Sequence, residues 1–304
     1  MSFVAVERAG DPETAAKAAQ AARGPAGRRH RPSAWHLVLL PVALLMIFPF
    51  VRLVITSAST LAETRTFPPA LPAGFPLTWF ANLAHNYGAA WTEAPFGRWV
   101  LNTSIVTIVV VVGNLVFCSL AGYALARLRF FGRTALFLVI LATLMVPFQV
   151  VMIPVLLICK DLGIVDTLPA LILPNLVTPF GIFLLRQFFK TLPIEIEEAA
   201  RIDGATRLGT LFKVLLPSMG APLATVGIMT MLWSWNDFLW PLIVITSQQN
   251  MTLQLGLSSF VGSHATKLPV LMAGTVMTQL PMLVIFLFAQ RWFVQSFAAS
   301  GVKG

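Results

Sequence analysis

Charged residues are scarce in this chain of 304 residues, where Asp, Glu, Lys and Arg together make up 11%. A soluble domain usually carries about 25% charged residues. Hydrophobic residues instead reach 57%, and the mean hydropathy is +0.80. The composition therefore excludes an ordinary soluble domain and predicts a chain that lies largely in lipid.

Side chains that bind metals or perform catalysis are also few. The two cysteines, Cys118 and Cys159, lie in or beside apolar stretches without C-x-x-C spacing. We interpret them as small packing residues rather than as a disulfide or a metal site. The four histidines are scattered through tail and loop positions, and the sequence has no G-x-x-x-x-G-K-[ST] phosphate loop. We therefore expect no enzymatic activity, no metal and no cofactor held by this chain.

The first 33 residues differ from the rest because they are polar, Ala-rich and basic. No apolar core precedes Pro32, so this segment is not expected to be a cleavable signal peptide. We predict a disordered cytoplasmic tail over residues 1–33, followed by one transmembrane domain over residues 34–304. The net charge of +9 does not indicate nucleic-acid binding, because the basic residues lie between apolar runs and form no stripe with aromatic residues.

Six apolar stretches are long enough to cross the bilayer, for which a helix needs roughly 20 residues. We name them spans 1 to 6, and they run over residues 35–56, 99–125, 134–159, 168–188, 223–245 and 269–293. The predicted fold is all-α, a polytopic membrane domain of six transmembrane helices. Prolines in spans 3 and 4 are expected to kink these helices rather than end them, because neighbouring helices can satisfy the freed carbonyls. These prolines are Pro147, Pro154, Pro174 and Pro179.

The basic residues set the predicted orientation, because Lys and Arg accumulate in cytoplasmic loops. With the N-terminus inside, most of the 21 Lys and Arg lie in the tail, the loop after span 2, the segment after span 4 and the C-terminus. The outer side keeps Arg52, Arg65, Arg98, Lys160 and Lys267. Both termini are then cytoplasmic. Two long outer segments, 57–98 and 246–268, fit plain connectors and contacts with a soluble partner equally well.

The cytoplasmic segment between spans 4 and 5 is too polar for lipid and too patterned for a loose loop. It reads KTLPIEIEEAARIDGATRLGTLFKVLLP over residues 190–217. Thr191 is a candidate cap for a helix that begins near Pro193, and the glutamates that follow lie near the positive end of the helix dipole. A break is expected at Gly204 and a second short helix up to Pro217.

The spacing within this segment resembles that of a known family. Glu198-Ala199-Ala200 is followed by three residues, Gly204, nine residues and then Val214-Leu215-Leu216-Pro217. This is similar to the E-A-A motif of the permease subunits of ABC importers, with Val in place of Ile at 214. The longer form EEAARIDGA is similar to the branch that imports sugars, of the maltose and sn-glycerol-phosphate type. The resemblance also includes WSWNDFLWPLIV in span 5 and the C-terminal FVQSFAASGVKG, and its core covers residues 96–293.

The resemblance implies that residues 190–217, here named the E-A-A segment, couple the chain to ATP-binding subunits. Small residues would allow close approach, and Glu198 and Asp203 could pair with basic groups on that partner. The residues implied in coupling are Glu198, Ala199, Ala200, Asp203, Gly204, Leu216 and Pro217. The implied partners are a dimer of ATP-binding subunits that bind the ATP, a second homologous permease and an extracytoplasmic solute-binding protein. The implied location is the inner membrane of a bacterium or archaeon, and the implied cargo is a sugar.

A charged residue within a span is costly and is often functional, and Asp237 in span 5 is the clearest case. Trp233, Asp237 and Trp240 fall at i, i+4 and i+7, so a continuous helix would place them on one face beside Asn236. Aromatic faces with a carboxylate and an amide suit a sugar. Equally, this group could anchor the span at the outer headgroups or pair with a partner subunit. Gln149 and Asn175 are further candidates for the pathway, although such residues more often join helices.

Two other kinds of transporter are alternatives to a sugar permease of an ABC importer. An ion-coupled secondary transporter would leave the E-A-A segment unexplained, and such proteins often use internal repeats and several intramembrane charges. An ABC permease for an amino acid, a peptide or an anion differs only in cargo. The spans contain no basic cluster that would neutralise an anion, which favours a neutral cargo.

Overall fold

The computed structural model describes residues 35–66, 77–263 and 267–301. The predicted tail over residues 1–33 lies outside the described residues, as do residues 302–304. The chain divides into two compact units, residues 1–51 and residues 52–304. The described part of the first unit is the N-terminal part of one helix, His36–Ser57.

All regular structure in the described ranges is helical, as predicted. The helices are α1 His36–Ser57, α2 Leu61–Thr64, α3 Leu77–Thr92, α4 Phe96–Arg127, α5 Arg133–Thr143, α6 Phe148–Asp161, α7 Leu168–Ile172, α8 Pro179–Thr191, α9 Ile194–Ile202, α10 Arg207–Thr210, α11 Leu216–Ser218, α12 Gly220–Trp235, α13 Leu239–Val244, α14 Leu253–Ser263 and α15 Leu268–Gly301. Short 3₁₀ turns cover Leu173–Asn175 and Gln248–Asn250, and a π-helical turn covers Leu211–Leu215.

Among the residues that the structure describes, four stretches are long and apolar enough to cross a membrane, namely Leu37–Ser57, Phe96–Arg127, Leu168–Thr191 and Leu268–Phe288. Two bent pairs of helices raise this number to six if each pair is one span. The first pair is α5 with α6, bent by 103°, and the second is Arg207–Ser218 with α12, bent by 86°. The positions of spans 1, 2, 4 and 6 thus agree with the sequence prediction.

The expectation that prolines would only kink spans 3 and 4 is wrong at three positions. Pro147 directly precedes α6 after a sharp bend, Pro174 lies in a 3₁₀ turn, and Pro179 begins α8. Only Pro154 lies inside a helix. Proline lacks a backbone N–H and is therefore favoured where a helix begins, as at Pro147 and Pro179, whereas Pro174 lies in the 3₁₀ turn that follows α7.

Helix α4 forms the centre of the larger unit, with α8 and α12 packed against it. Glycine allows the close approach to α8: a Cβ on Gly122 would lie 3.1 Å from the backbone nitrogen of Arg186. Small residues at such contacts let two backbones pack tightly in lipid. The buried apolar cluster at the C-terminal end of α4 includes Tyr123, Leu125, Leu185, Phe189, Leu211 and Leu215.

The N-terminal end of α4 is tied to the segment that precedes α14. Trp99 Nε1 donates to the Gln248 carbonyl at 3.0 Å. Asn102 Nδ2 donates to the carbonyls of Gln249 and Met251 at 2.8 and 2.9 Å. These side chains satisfy backbone groups that the irregular segment leaves free, so the segment follows the end of α4 closely.

Candidate functional site

The first half of the E-A-A segment forms helix α9, which begins after Pro193 and ends before Asp203. Glu195 and Glu197 lie in its first turn, as the sequence predicted. The expected cap is wrong, because Thr191 is the last residue of α8 and its hydroxyl donates to the Phe188 carbonyl at 2.8 Å. The chain turns between the two helices at Leu192 and Pro193, which leaves Thr191 in the preceding helix.

The predicted break at Gly204 is confirmed. This residue has φ +82°, a left-handed conformation that favours glycine. Its N–H donates to the Arg201 carbonyl at 3.0 Å, and Ala205 donates to the Ala200 carbonyl at 2.9 Å. This pattern ends α9 with its last carbonyls satisfied.

Helix α9 has two different faces. Ala200 and Glu197 are buried against the spans. Glu198 and Ala199 are exposed together with Ile202, whose side chain is 87% exposed. A large exposed apolar side chain beside small and acidic neighbours is typical of a surface that meets a partner. The sequence grouped Ala199 with Ala200 as close-approach residues, whereas the structure places them on opposite faces.

An ion pair holds the buried face of α9, and sequence reasoning did not identify it. Arg127 Nε lies 2.8 Å from Glu197 Oε1, with the side chains 12% and 1% exposed. The same guanidinium donates through Nη2 to the carbonyl of Leu192. The signal available in the sequence was the pair of glutamates in the EEAA run, of which the first, Glu197, is buried and the second, Glu198, is exposed.

The second half of the E-A-A segment is helical but irregular. Thr206 caps α10 by accepting a hydrogen bond from the Gly209 N–H at 3.1 Å. A π-helical turn follows before α11. At the end of the motif, Leu216 is half-buried and Pro217 is exposed. The predicted second helix is thus present from Arg207 to Ser218, with a π-helical turn between two short α-helical segments.

The candidate pathway residues of span 5 do not share one helical face, and this prediction is wrong. Helix α12 ends at Trp235, and a new helix begins at Leu239. Trp233 is 74% exposed, whereas Trp240 is buried and donates through Nε1 to the Ala170 carbonyl at 3.0 Å. Asp237 lies in this break, where its carboxylate accepts a hydrogen bond from the backbone N–H of Trp240 in the first turn of α13 at 3.4 Å.

The exposed end of α12 gains a polar neighbour that the sequence did not suggest. Asn236 is exposed, and its Oδ1 accepts a hydrogen bond from Gln254 Nε2 of α14 at 3.4 Å. Trp233 lies one turn earlier on the same helix. The structure therefore brings two side-chain amides together, three residues after the exposed indole of Trp233.

The two remaining pathway candidates lie elsewhere. Gln149 is exposed in the first turn of α6. Asn175 lies at the break before α8, where its Nδ2 donates to the Leu171 carbonyl at 2.9 Å. Buried Asn114 donates to the Asn175 carbonyl at 2.7 Å and accepts from the Thr178 hydroxyl at 2.7 Å. Asn175 is therefore part of the polar contact that joins the break to α4, as interhelical residues do.

Asp166 connects two loops at the other end of the molecule from α9. Its Oδ1 accepts hydrogen bonds from the N–H groups of Thr246 and Ser247, both at 2.9 Å, and from the Ser247 hydroxyl at 3.0 Å. Its own φ of +61° is uncommon for a residue with a side chain. Burial alone would raise the pKa of this carboxyl, but the hydrogen bonds from Ser247 and Thr246 outweigh it and lower the pKa below its usual range.

We expect Asp166→Ala to destabilise the protein by about 1–3 kcal/mol, since three donors lose a charged acceptor. The effect follows pH: because the pKa is lowered in the folded state, the stabilisation is present at neutral pH and disappears as pH falls through that lowered pKa. Thermal unfolding of the detergent-purified chain from neutral to acid pH measures both. Asp166→Asn, which keeps an acceptor oxygen and tolerates this φ, is the matched control. Equal stability of the Ala variant and wild type at neutral pH would contradict the assignment.

The described ranges contain neither a group of side chains suited to a metal ion nor an exposed thiol. No three His, Cys, Asp or Glu side chains there are grouped so as to hold a metal ion. Cys118 and Cys159 are both buried free thiols, 0% and 2% exposed, which agrees with their interpretation as packing residues.

Comparison with known proteins gives consistent matches. The profile of a family described as binding-protein-dependent transport system inner membrane component matches residues 118–298. The arabinooligosaccharides transport system permease protein AraQ of Halalkalibacterium halodurans is 38% identical over 266 residues, which cover 86% of this chain and 93% of the relative. The sn-glycerol-3-phosphate transport system permease protein UgpE of Pectobacterium atrosepticum is 34% identical over 270 residues, which cover 87% and 95%.

A solved structure is similar over nearly the whole chain. It is the crystal structure of a bacterial ABC transporter involved in the import of the acidic polysaccharide alginate. The TM-score is 0.73 at 25% identity, and the match covers 96% of this chain and 100% of the other.

Proposed function

Since the chain belongs to the family of binding-protein-dependent transport system inner membrane components, we propose that it forms half of the translocation pathway of an ATP-driven sugar importer. Its relatives are permease subunits of ABC transporters, so the chain is a transport component of the inner membrane and not an enzyme. An ion-coupled secondary transporter is not favoured. The proposal also concerns the surface through which this chain couples to its partners and the cargo that it admits.

The observation that carries the proposed coupling is the division of α9 into a buried and an exposed face. Glu197 and Ala200 attach the helix to the spans, and the opposite face presents Glu198, Ala199 and Ile202. Such a helix is fixed to its own chain and free to enter a cleft on another. In our proposal the ATP-binding subunits receive this face, and Asp203 with Gly204 closes its C-terminal end. Leu216 and Pro217 support it from the second half of the segment.

The proposed topology is six spans with both termini in the cytoplasm. The two bent pairs of helices raise the number of candidate spans to six. The distribution of basic residues supports the orientation, since Arg127, Arg129 and Arg133 lie at the end of α4 that carries α9, and α9 must face ATP-binding subunits. The loops joined by Asp166 then lie on the outer side.

The proposed cargo is a sugar or an oligosaccharide. The exposed surface of Trp233, Asn236 and Gln254 offers an indole for the C–H face of a sugar ring and amides for its hydroxyls. Asp237 begins the next helix, and we place it at the edge of this surface. Trp240, Gln149 and Asn175 are structural supports in this proposal. One relative is named for arabinooligosaccharides, which are neutral, and this favours a neutral sugar.

A second candidate cargo is an anionic sugar derivative. One relative is named for sn-glycerol-3-phosphate, and the similar solved structure is described as importing the acidic polysaccharide alginate. Competition between arabinooligosaccharides and sn-glycerol-3-phosphate in the uptake assay below distinguishes the two.

The family to which the chain belongs works with ATP-binding subunits, a second permease and a solute-binding protein. The test of the proposed function is therefore purification of the wild-type chain from native membranes in mild detergent. We expect it to bring down an ATP-binding subunit and a second permease, and the reconstituted complex to import a sugar when ATP is supplied. A chain that purifies alone and moves solute along an ion gradient would refute the proposal.

We expect Trp233→Ala to lower sugar uptake about tenfold, because exposed tryptophans at binding surfaces commonly contribute more than 1 kcal/mol. The measurement is uptake into proteoliposomes of the labelled sugar that the wild-type complex imports. Leu242→Ala is the matched control, since it removes another exposed apolar side chain from the following helix. Unchanged uptake in the Trp233 variant would assign this indole to the membrane interface instead.

A further inference from the structure

We propose that the ion pair between Arg127 and Glu197 is the joint through which motion of α9 reaches the spans, so that both are positioning residues of the transport cycle. This inference rests on the proposed function, because it concerns how ATP-driven movement at the exposed face of α9 enters the membrane domain. It predicts that loss of the pair uncouples the two halves of the complex without separating them.

The joint has two points of attachment on the E-A-A segment. Arg127 is the last residue of α4, and its Nε lies 2.8 Å from Glu197 Oε1 in the first turn of α9. Its Nη2 donates to the carbonyl of Leu192, just before α9 begins. The planar guanidinium holds five donors in a fixed geometry. One side chain therefore holds both the residue that leads into α9 and the first turn of that helix, so α9 cannot pivot about a single contact.

The environment of the pair makes the attachment stiff. Glu197 is 1% exposed, and a buried carboxylate is costly unless it is paired. Tyr123, one turn before Arg127, is buried beside it and packs edge-on against Phe189 at 5.7 Å between ring centroids. Rotation of α9 that kept α4 still would have to open this pair in a site that water reaches poorly. It is easier for the two helices to move together.

A second buried arginine, Arg186, lies at the same end of the bundle, but its contacts join the spans only to one another. Arg186 Nε donates to the Leu125 carbonyl at 3.2 Å, and its guanidinium lies 3.6 Å from the centroid of the Phe137 ring. These contacts link α8, α4 and α5 to one another. None of these contacts involves α9. Among the described residues, the ion pair of Arg127 with Glu197 is therefore what links the spans to α9 through charged side chains.

The test separates a positioning role from a merely structural one. The double variant Arg127→Leu with Glu197→Leu removes both charges, so no unpaired charge remains buried and the fold has an apolar replacement. A reporter cysteine, Phe238→Cys, is introduced at an exposed position outside the proposed cargo surface in every variant, while the native thiols are buried. The measured quantity is the rate of labelling by a membrane-impermeant maleimide in the purified full complex, without nucleotide and after ATP hydrolysis in the presence of vanadate, which traps ADP.

With the native pair, the labelling rate is expected to differ by at least about fivefold between the two states, as typical coupling energies imply. With the double variant, the ATP-binding subunits still co-purify and hydrolyse ATP, but the labelling rate no longer responds. The matched control is the double variant Glu93→Leu with Lys267→Leu, which removes the ion pair at 2.8 Å near the other end of the molecule. This control keeps the response.

A full labelling response in the Leu double variant would overturn the inference, and so would loss of the ATP-binding subunits from it, which would assign the pair to assembly. If that variant does not accumulate, Arg127→Lys replaces it. Lysine keeps the charge but cannot hold Leu192 and Glu197 with one planar group. We therefore expect a reduced labelling response in this variant, and a full labelling response would overturn the inference. If the complex with the native pair lacks ATP-binding subunits or shows no response, the proposed function itself fails.

Discussion

The Gly204→Pro variant is expected to reach the membrane in normal amount and to lose transport completely. Proline fixes φ near −65°, whereas Gly204 has φ +82°. Proline would also remove the N–H that donates to the Arg201 carbonyl at 3.0 Å. The chain can then not turn after α9, and the exposed face of that helix is presented in another direction. Uptake into proteoliposomes and recovery of the ATP-binding subunit with the purified chain measure the two consequences.

Two further glycine variants sharpen this prediction. Gly204→Ala tests the backbone conformation alone, since nothing lies within 4 Å of the added Cβ. A left-handed residue costs roughly 1–2 kcal/mol when it carries a Cβ, so partial loss of transport is expected. Gly220→Ala also adds a Cβ in open space but lies in α12 without a positive φ, and it should transport normally. Wild-type uptake by Gly204→Pro would show that α9 does not couple to a partner.

The Gly256→Ala variant is expected to show the largest loss of stability. A Cβ at this position would lie 2.3 Å from two ring atoms of Trp99. The indole has little room to move, since it is fully buried and its Nε1 donates to Gln248 at 3.0 Å. Overpacking of this kind costs about 1–3 kcal/mol or more. Thermal unfolding and the steady-state amount of the chain in membranes measure the effect.

The control for this substitution is Gly88→Ala, where nothing lies within 4 Å of the added Cβ in α3. Alanine is the better helix former there, so stability should stay the same or rise slightly. A combined Gly256→Ala and Trp99→Leu variant should recover part of the loss, because the smaller side chain removes the overlap. Equal unfolding temperatures for Gly256→Ala and wild type would mean that α14 does not pack on α4 as described.

Local signals made the E-A-A segment largely predictable from sequence. Pro193 and Gly204 each act on their own backbone, so the start and end of α9 follow from residue type alone. Long apolar runs likewise located spans 1, 2, 4 and 6. Helices α3 and α14 were missed, because each is only partly apolar and lies within a segment that was interpreted as a connector.

Features that depend on distant contacts were not predictable. Span 5 is apolar on both sides of its break, so hydropathy gives no sign that Asp237 starts a new helix there. Glu197 and Glu198 look equivalent in sequence, and only the position of Arg127, seventy residues earlier, decides which one is buried. The same holds for Asn114, whose role follows from the break in span 4 that it contacts.

Helix α4 is also distinguished by what it lacks, since each of the other five predicted spans contains proline and its 32 residues contain none. At about 1.5 Å per residue it is a rod of roughly 48 Å, held at one end by Gln248 and Gln249 and at the other by Glu197. A helix that proline does not interrupt is stiff along its axis, so a displacement of one end is transmitted to the other end. Bending in this membrane domain is then expected in the proline-containing helices around α4, while the two ends of α4 move together.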